Sequence, residues 1–436
     1  MRPPSGAAAV VSAVECAAVP PALPSLSSLA ASLRGSLREV LGGLPRAYWA
    51  LWVGLLVNRI GSFVVPFLSL YLTNERGLSV GEAGGLVSLW GLGAIGAGPV
   101  AGVVADRLGR RAALLGSLVG GAAFTVALGF VRAPAVVAPL VFAVGFVGEI
   151  YRPASHAVVG DVVPPEDRVR AFGLLYWAVN LGVAIGLALA GLIASLSYTL
   201  LFVGDGLTSL AFAWVVWRFV PETRPESRPE TVREVLAGLV VPMRDRVFLP
   251  FLLLHLAVAT IFFQFQLTLP VDMAANGISP AGFGLLMAMN GGIIVVLQPL
   301  AARWIASRNP AHAMAVGAGL IGLGFGMNAL HHTVGWYALR IVVWTVGEIA
   351  YLPVVSTIPS ELAPAALRGR FQGAYSLSWA VAAFAAPALG AWGLERFGAS
   401  VVWGACFVAG VVVAGGQVAA GPARRRRIEE IRAARE

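Results

Sequence analysis

Apolar residues in this chain run in long stretches, and the polar ones gather in the short gaps between them. A helix needs about 20 predominantly apolar residues to cross the hydrocarbon core of a bilayer. Twelve stretches reach that length: 49–71, 83–104, 112–132, 136–158, 171–194, 198–219, 247–270, 282–304, 311–331, 335–357, 371–393 and 398–420. The pattern predicts an all-α integral membrane protein of twelve transmembrane helices. An even number of crossings returns both termini to one side. The connection at 220–246, VPETRPESRPETVREVLAGLVVPMRDR, is rich in Pro, Glu and Arg and separates six spans from six. The predicted organisation is a leader at 1–46, a six-helix half at 47–219, a linker at 220–246, a second half at 247–420 and a basic tail at 421–436.

Composition removes the soluble alternatives. Of 436 residues, 58% are hydrophobic and 12% charged, with a mean hydropathy of +0.80, which leaves too little polar surface for a water-soluble domain. A net charge of +9 suggests nucleic acid at first sight. The arginines, however, punctuate apolar runs and do not cluster with aromatics on one face, so no nucleic-acid partner is expected. All 31 basic residues are arginine; 23 fall in segments on the side of residue 1, and only Arg76 and Arg396 fall in the opposite loops. Cytoplasmic loops hold the excess of basic residues, which predicts a multi-pass cell-membrane protein with both termini inside.

The apolar piece from Ala7 to Val19 is interrupted by Glu15 and is not read as a signal peptide. Residues 1–46 are expected to be a disordered cytoplasmic leader with a basic amphipathic stretch near Leu33 to Arg46 on the membrane surface. Cys16 and Cys406 have no disulfide or metal spacing. The sequence holds no Ser-His-Asp set, metal cluster or phosphate-binding loop, so neither an enzyme nor a cofactor is implied.

The two halves carry a repeat. GDVVPPEDRVRAFG at 160–173 lies on SELAPAALRGRFQG at 360–373, matching Pro164, Arg168, Arg170 and Gly173 with Pro364, Arg368, Arg370 and Gly373. Asp161 meets Glu361 and Pro153 meets Pro353, while Glu149 of one VGEI meets Glu348 of a second after a one-residue slip. Both copies end an even-numbered span, so the halves share an orientation and are related by a pseudo-two-fold axis along the membrane normal. Transporters built this way hold their substrate at the interface of the halves near the midplane.

Between the second and third spans the chain reads GVVADRLGRRAAL, from Gly102 to Leu114. This resembles the signature loop of the major facilitator superfamily, G-x-L-A-D-R-x-G-R-K, with Val104 in the Leu slot and Arg111 in the Lys slot. The resemblance implies a conformational latch made of Gly102, Asp106, Arg107, Gly109, Arg110 and Arg111, with Asp161 as the acid at the inner end of span 4. The matching stretch of the second half, QPLAARWIASRNP at 298–310, lacks the acid and the glycines. In span 5, GVAIGLALAG at 182–191 is similar to the family's antiporter signature at Gly182, Gly186 and Gly191, and reads equally as a small-residue packing face. YRPASHAVVGDVVPPEDR resembles the drug:proton antiporter branch.

Charges inside spans cost about 3 kcal/mol each on insertion scales and are functional candidates by default. Arg59, Glu149, Arg152, Asp205 and Glu348 are the candidates for proton coupling, Glu149 and Glu348 first because they occupy matching places. Arg340 lies about one turn from the outer end of span 10, and Asp205 reads equally as a polar tie. Asn58, Asn180, Gln264, Gln266 and Asn290 are candidates for the substrate cavity or for helix-to-helix hydrogen bonds. Gln264 and Gln266 face opposite ways unless the span unwinds before Pro270, and His255 reads as a packing residue. The resulting expectation is a monomeric, proton-coupled exporter of small amphipathic molecules working by alternating access. The alternatives are an importer or uniporter of the same fold, or a non-transporting membrane sensor.

Overall fold

The computed structural model describes residues 42–223, 230–364 and 367–433. The chain divides into Met1–Leu44 and Pro45–Glu436, and every membrane span belongs to the second unit. The leader and most of its expected amphipathic stretch lie outside the described residues, and the first span already begins at Arg46.

Twelve helices are long and apolar enough to cross a membrane: Arg46–Glu75, Val80–Leu108, Arg110–Phe130, Ala135–Val162, Arg170–Leu196, Tyr198–Phe219, Phe248–Gln266, Pro280–Ala302, Pro310–Ala329, Val334–Leu362, Arg368–Phe397 and Ala399–Ala419. They are spans 1 to 12 in chain order. No strand occurs among the described residues. A short helix, Val232–Met243, lies in the linker and another, Gly421–Ala433, follows span 12. The tail is therefore helical, and its Arg424 is buried against Gln417 of span 12, donating to that residue's Oε1 and backbone oxygen at 2.7 Å each.

Packing repeats with a shift of six spans. Span 1 packs on spans 5 and 6, span 2 on span 4 and span 3 on span 6; span 7 packs on spans 11 and 12, span 8 on span 10 and span 9 on span 12. Close backbone approach at glycines makes this possible. In the second half, a Cβ on Gly322 of span 9 would stand 2.6 Å from the Cα of Gly410 of span 12.

Three spans are broken inside the bundle, and in spans 1 and 4 a side chain takes up backbone groups that the break leaves open. Span 1 ends one helix at Ile60 and starts another at Val64, whose amide donates to Asp205 Oδ2 at 3.3 Å. Span 4 breaks between Gly148 and Tyr151; Ser117 Oγ accepts from the Tyr151 amide at 3.0 Å and donates to Val147 O at 2.6 Å. Span 7 narrows to a 3₁₀ turn at Phe263–Gln266 and resumes as the helix Thr268–Ala275. Spans 1 and 7 are thus broken at equivalent places. Span 10 runs unbroken through Glu348, whereas Glu149 sits in the break of span 4. That difference in backbone path accounts for the one-residue slip between the two VGEI copies.

The halves meet mainly along spans 2 and 11 and spans 5 and 8. We call the end of the bundle that carries the linker the linker face, and the opposite end the far face. From the far face, span 2 meets span 11 at Gly81 with Glu395, Gly84 with Ala391, and Gly91 with Ala383 and Phe384. Span 5 meets span 8 at Gly191 with Gly284 and at Ala184 with Gly291. Beyond mid-span, Gly98 and Gly102 have nothing within 4 Å of a Cβ position. The bundle is closed at the far face and opens along span 2 as a cleft toward the linker face, while spans 5 and 8 stay in touch on that side through Tyr176 and Gln298.

Candidate functional site

The first-half wall of the cleft is built around the break in span 4. Arg152 Nη2 pairs with Glu149 Oε2 at 3.1 Å, one helical turn apart, and the Arg152 side chain is 56% exposed. At this depth such exposure fits a water-filled cleft and not lipid. Arg59 lies with its Cζ 5.3 Å from the centre of the Tyr151 ring, and its buried Nε has no hydrogen-bond partner. Among the described residues no carboxylate comes within ion-pair distance of Arg59, so this wall holds a Glu149–Arg152 pair with Arg59 apart over the aromatic ring. Span 5 receives this corner of span 1: a Cβ on Gly182 would stand 2.5 Å from Arg59 Cβ, and one on Gly186 2.7 Å from Ile60 O.

Two first-half candidates bond to neighbouring helices. Asn58 is buried and donates to Ser209 Oγ at 2.9 Å, which ties span 1 to span 6. Asp205 accepts from the amide that opens the second helix of span 1, which is the polar-tie reading of that residue. Asn180 spends one amide hydrogen on the Tyr176 backbone at 2.9 Å and remains half-buried.

Across the cleft, Glu348 is 7% exposed. The Asn290 amide donates to Glu348 Oε2 at 3.0 Å and to Thr345 Oγ1 at 2.8 Å, so one side chain of span 8 braces two of span 10. No arginine or histidine forms an ion pair with Glu348 among the described residues. Tyr176 of the first half places its hydroxyl 3.5 Å from Gln298 Oε1 of span 8.

Beside Glu348 stands an aromatic wall. Trp379 packs edge-on to Phe262 and Phe263 with ring centres 5.9 and 5.7 Å apart, and Phe265 stacks with Phe263. His255 lies fully buried behind it, 4.6 Å from the Tyr375 ring centre and with Nδ1 3.4 Å from the Tyr351 hydroxyl. Span 7 unwinds before Pro270, the condition under which the two glutamines need not face opposite ways, and both are buried. Gln264 donates to Thr260 O and Ala386 O at 3.3 Å each and accepts from the Thr268 hydroxyl, so it bridges spans 7 and 11 and does not line the cavity. Gln266 is buried, with Oε1 unpartnered.

At the linker face the signature loop folds on itself. Arg110 bonds Asp106 one turn before it and, through Nε at 3.4 Å, Asp161 of span 4. Gly109 turns the chain at φ +103°, a conformation that disfavours any side chain. The acid that holds the turn was not anticipated: Glu222, just past span 6, accepts the amides of Arg111 and Ala112 at 3.3 Å each. These are orphan donors of the first turn of span 3, where a carboxylate is favoured. The Arg111 guanidinium donates to Trp217 O, Arg107 is exposed, and Gly102 faces open space. No hydrogen bond or ion pair of this loop reaches the second half among the described residues.

A second unanticipated group is Asp272, in the helix Thr268–Ala275 that completes span 7. It is buried and accepts from the Tyr337 hydroxyl at 3.2 Å. Arg340 stands 3.7 Å over the Tyr337 ring and donates to Asn328 and His331 O, so this expected intramembrane charge belongs to a network near the far face. A lone acid two residues after Pro270, at the end of an apolar run, was the available signal.

A family model described as Major Facilitator Superfamily matches residues 51–387. The chain belongs to this superfamily. Its members are membrane transporters, not enzymes. An uncharacterised MFS-type transporter of Bacillus subtilis (strain 168), YttB, is 30% identical over 340 residues, 76% of this chain and 84% of that protein. A Na(+), Li(+), K(+)/H(+) antiporter of Planococcus maritimus is 26% identical, covering 74% of this chain and 84% of that one. The multidrug resistance protein MdtH of Klebsiella pneumoniae (strain 342) is 28% identical, covering 76% and 83%. Among solved structures, a POT family transporter in complex with 5-aminolevulinic acid superposes with a TM-score of 0.73 at 16% identity, covering 87% of this chain and 97% of that one. At that identity the likeness concerns the fold alone.

Proposed function

We propose that this superfamily member is a proton-coupled exporter of small amphipathic organic molecules, a monomer in the cell membrane with both termini and the linker face cytoplasmic. The orientation rests on the arginine bias, which puts 23 of 31 on one side. The structure then represents the inward-open state, ready to take substrate from the cytoplasm.

One observation carries the coupling. Glu348 is a buried carboxylate at mid-membrane, braced by a neutral amide and approached by no cation among the described residues. An ionised carboxylate there is expensive, and proton uptake removes the cost. A group whose charge is tolerated only when water or a cationic substrate reaches it exchanges its proton as the cleft changes sides. The aromatic wall supplies apolar and π surface to the substrate. Glu149 and Arg152 form the opposing polar wall, where a change in exposure alters the balance between pair and solvent. The relatives named multidrug resistance protein and H(+) antiporter support both parts of this reading.

The test is transport in proteoliposomes of a fluorescent aromatic cation selected by thermal shift, with internal pH recorded. Substrate movement against a proton flux in wild type supports export. Movement without proton flux supports the uniporter instead.

A further inference from the structure

We propose that Glu395, at the end of span 11, is a positioning residue that latches the far face shut by capping span 2 across the two halves. Its Oε1 accepts the backbone amide of Gly81 at 2.6 Å. Ser79 and Glu82 already form a capping box at this helix start, which satisfies the amides of Glu82 and Ser79 and leaves that of Gly81 to Glu395. Residue 81 has no room for a side chain while the contact holds, because a Cβ would fall 2.6 Å from Glu395 Oε2 and 2.9 Å from Oε1.

The placement breaks a local rule. Glu395 lies in the last turn of Arg368–Phe397, where the helix's own dipole disfavours an acid. The positive end of another helix facing it offsets that cost. The N-terminus of span 2 does so in the closed far face, and no other helix start is bonded to Glu395 among the described residues.

The signature loop stands in the converse relation. Asp106 ends span 2 near the linker face, and in this state its bonds stay within the first half. Spans 2 and 11 run antiparallel, and each carries a carboxylate in its last turn. That of span 11 caps span 2 here, at the closed end. The Glu395 contact stabilises the far-closed state, and parting the halves at this face must break it.

The contact belongs to the cycle of the fold and acts whatever the substrate. The experiment places spin labels at Asn74→Cys and Asn276→Cys, exposed far-face positions in opposite halves, on the full chain without Cys16 and Cys406, and measures their distance distribution in nanodiscs. Loss of a charged helix-terminus contact corresponds to about a fivefold change in population. Glu395→Gln and Gly81→Ala are each expected to raise the ratio of long to short distances about fivefold. Arg396→Gln, one residue away with no contact across the halves, leaves the ratio unchanged. Unchanged distributions in both Glu395→Gln and Gly81→Ala overturn the proposal, as does a fall in thermal stability with no change in distance, which would mark a local helix-end effect.

Discussion

Closure at the far face depends on backbone-to-backbone approach between spans 5 and 8, and Gly284→Ala tests how much. A Cβ at residue 284 would fall 2.4 Å from Leu187 O and 2.8 Å from Gly191 Cα, where ordinary contact begins near 3.4 Å. Both neighbours are backbone and cannot rotate away, so the spans must separate by roughly the 1 Å deficit or leave contact altogether. Overpacking of this kind costs about 1–3 kcal/mol, and it falls on the far-closed state alone. The ratio of far-closed to far-open molecules is therefore expected to drop by about 5-fold to 150-fold. The assay is the Asn74→Cys and Asn276→Cys distance distribution, whose long component should grow. Gly292→Ala, with nothing within 4 Å of its Cβ position, is the matched control on the same span. If Gly284→Ala keeps the wild-type distribution, close packing at Gly191 and Gly284 does not hold the face shut, and the account of closure fails.

Two further variants probe the supports of the site. Gly109→Ala puts a side chain at φ +103°, ψ 153° and 2.4 Å from the Glu222 carboxyl carbon; the cost is about 1–3 kcal/mol, read as a lower thermal midpoint, and Glu222→Ala should lower it as well by removing the cap.

The spans were legible because a membrane crossing imposes length and apolarity on every residue of the segment, and all twelve expected stretches became helices. The signature loop was legible because its spacing is chemical: a turn that needs Gly109 and an acid and arginine one helical turn apart. The breaks carried a signal, since Pro66, Pro153 and Pro270 each stand third in the helix that resumes, but Pro353 stands in span 10 without breaking it. What holds a break open was hidden: the new helix start of span 1 is capped by Asp205, 141 residues away. Asn58 and Gln264 looked like cavity groups because a sequence does not tell which amide meets a hydroxyl or carbonyl on a neighbouring helix. Glu222 and Glu395 sit at loop edges where acids are common, and only the fold reveals the helix start each one faces.

Glu348 as the carrier of the proton is tested most directly by substrate-dependent proton flux in proteoliposomes holding Glu348→Gln. Glutamine keeps the size and the bond to Asn290 but cannot exchange a proton in this range. Glu348→Gln should still bind the fluorescent aromatic cation yet move no protons when it is added. Proton flux at the wild-type rate in that variant would contradict it.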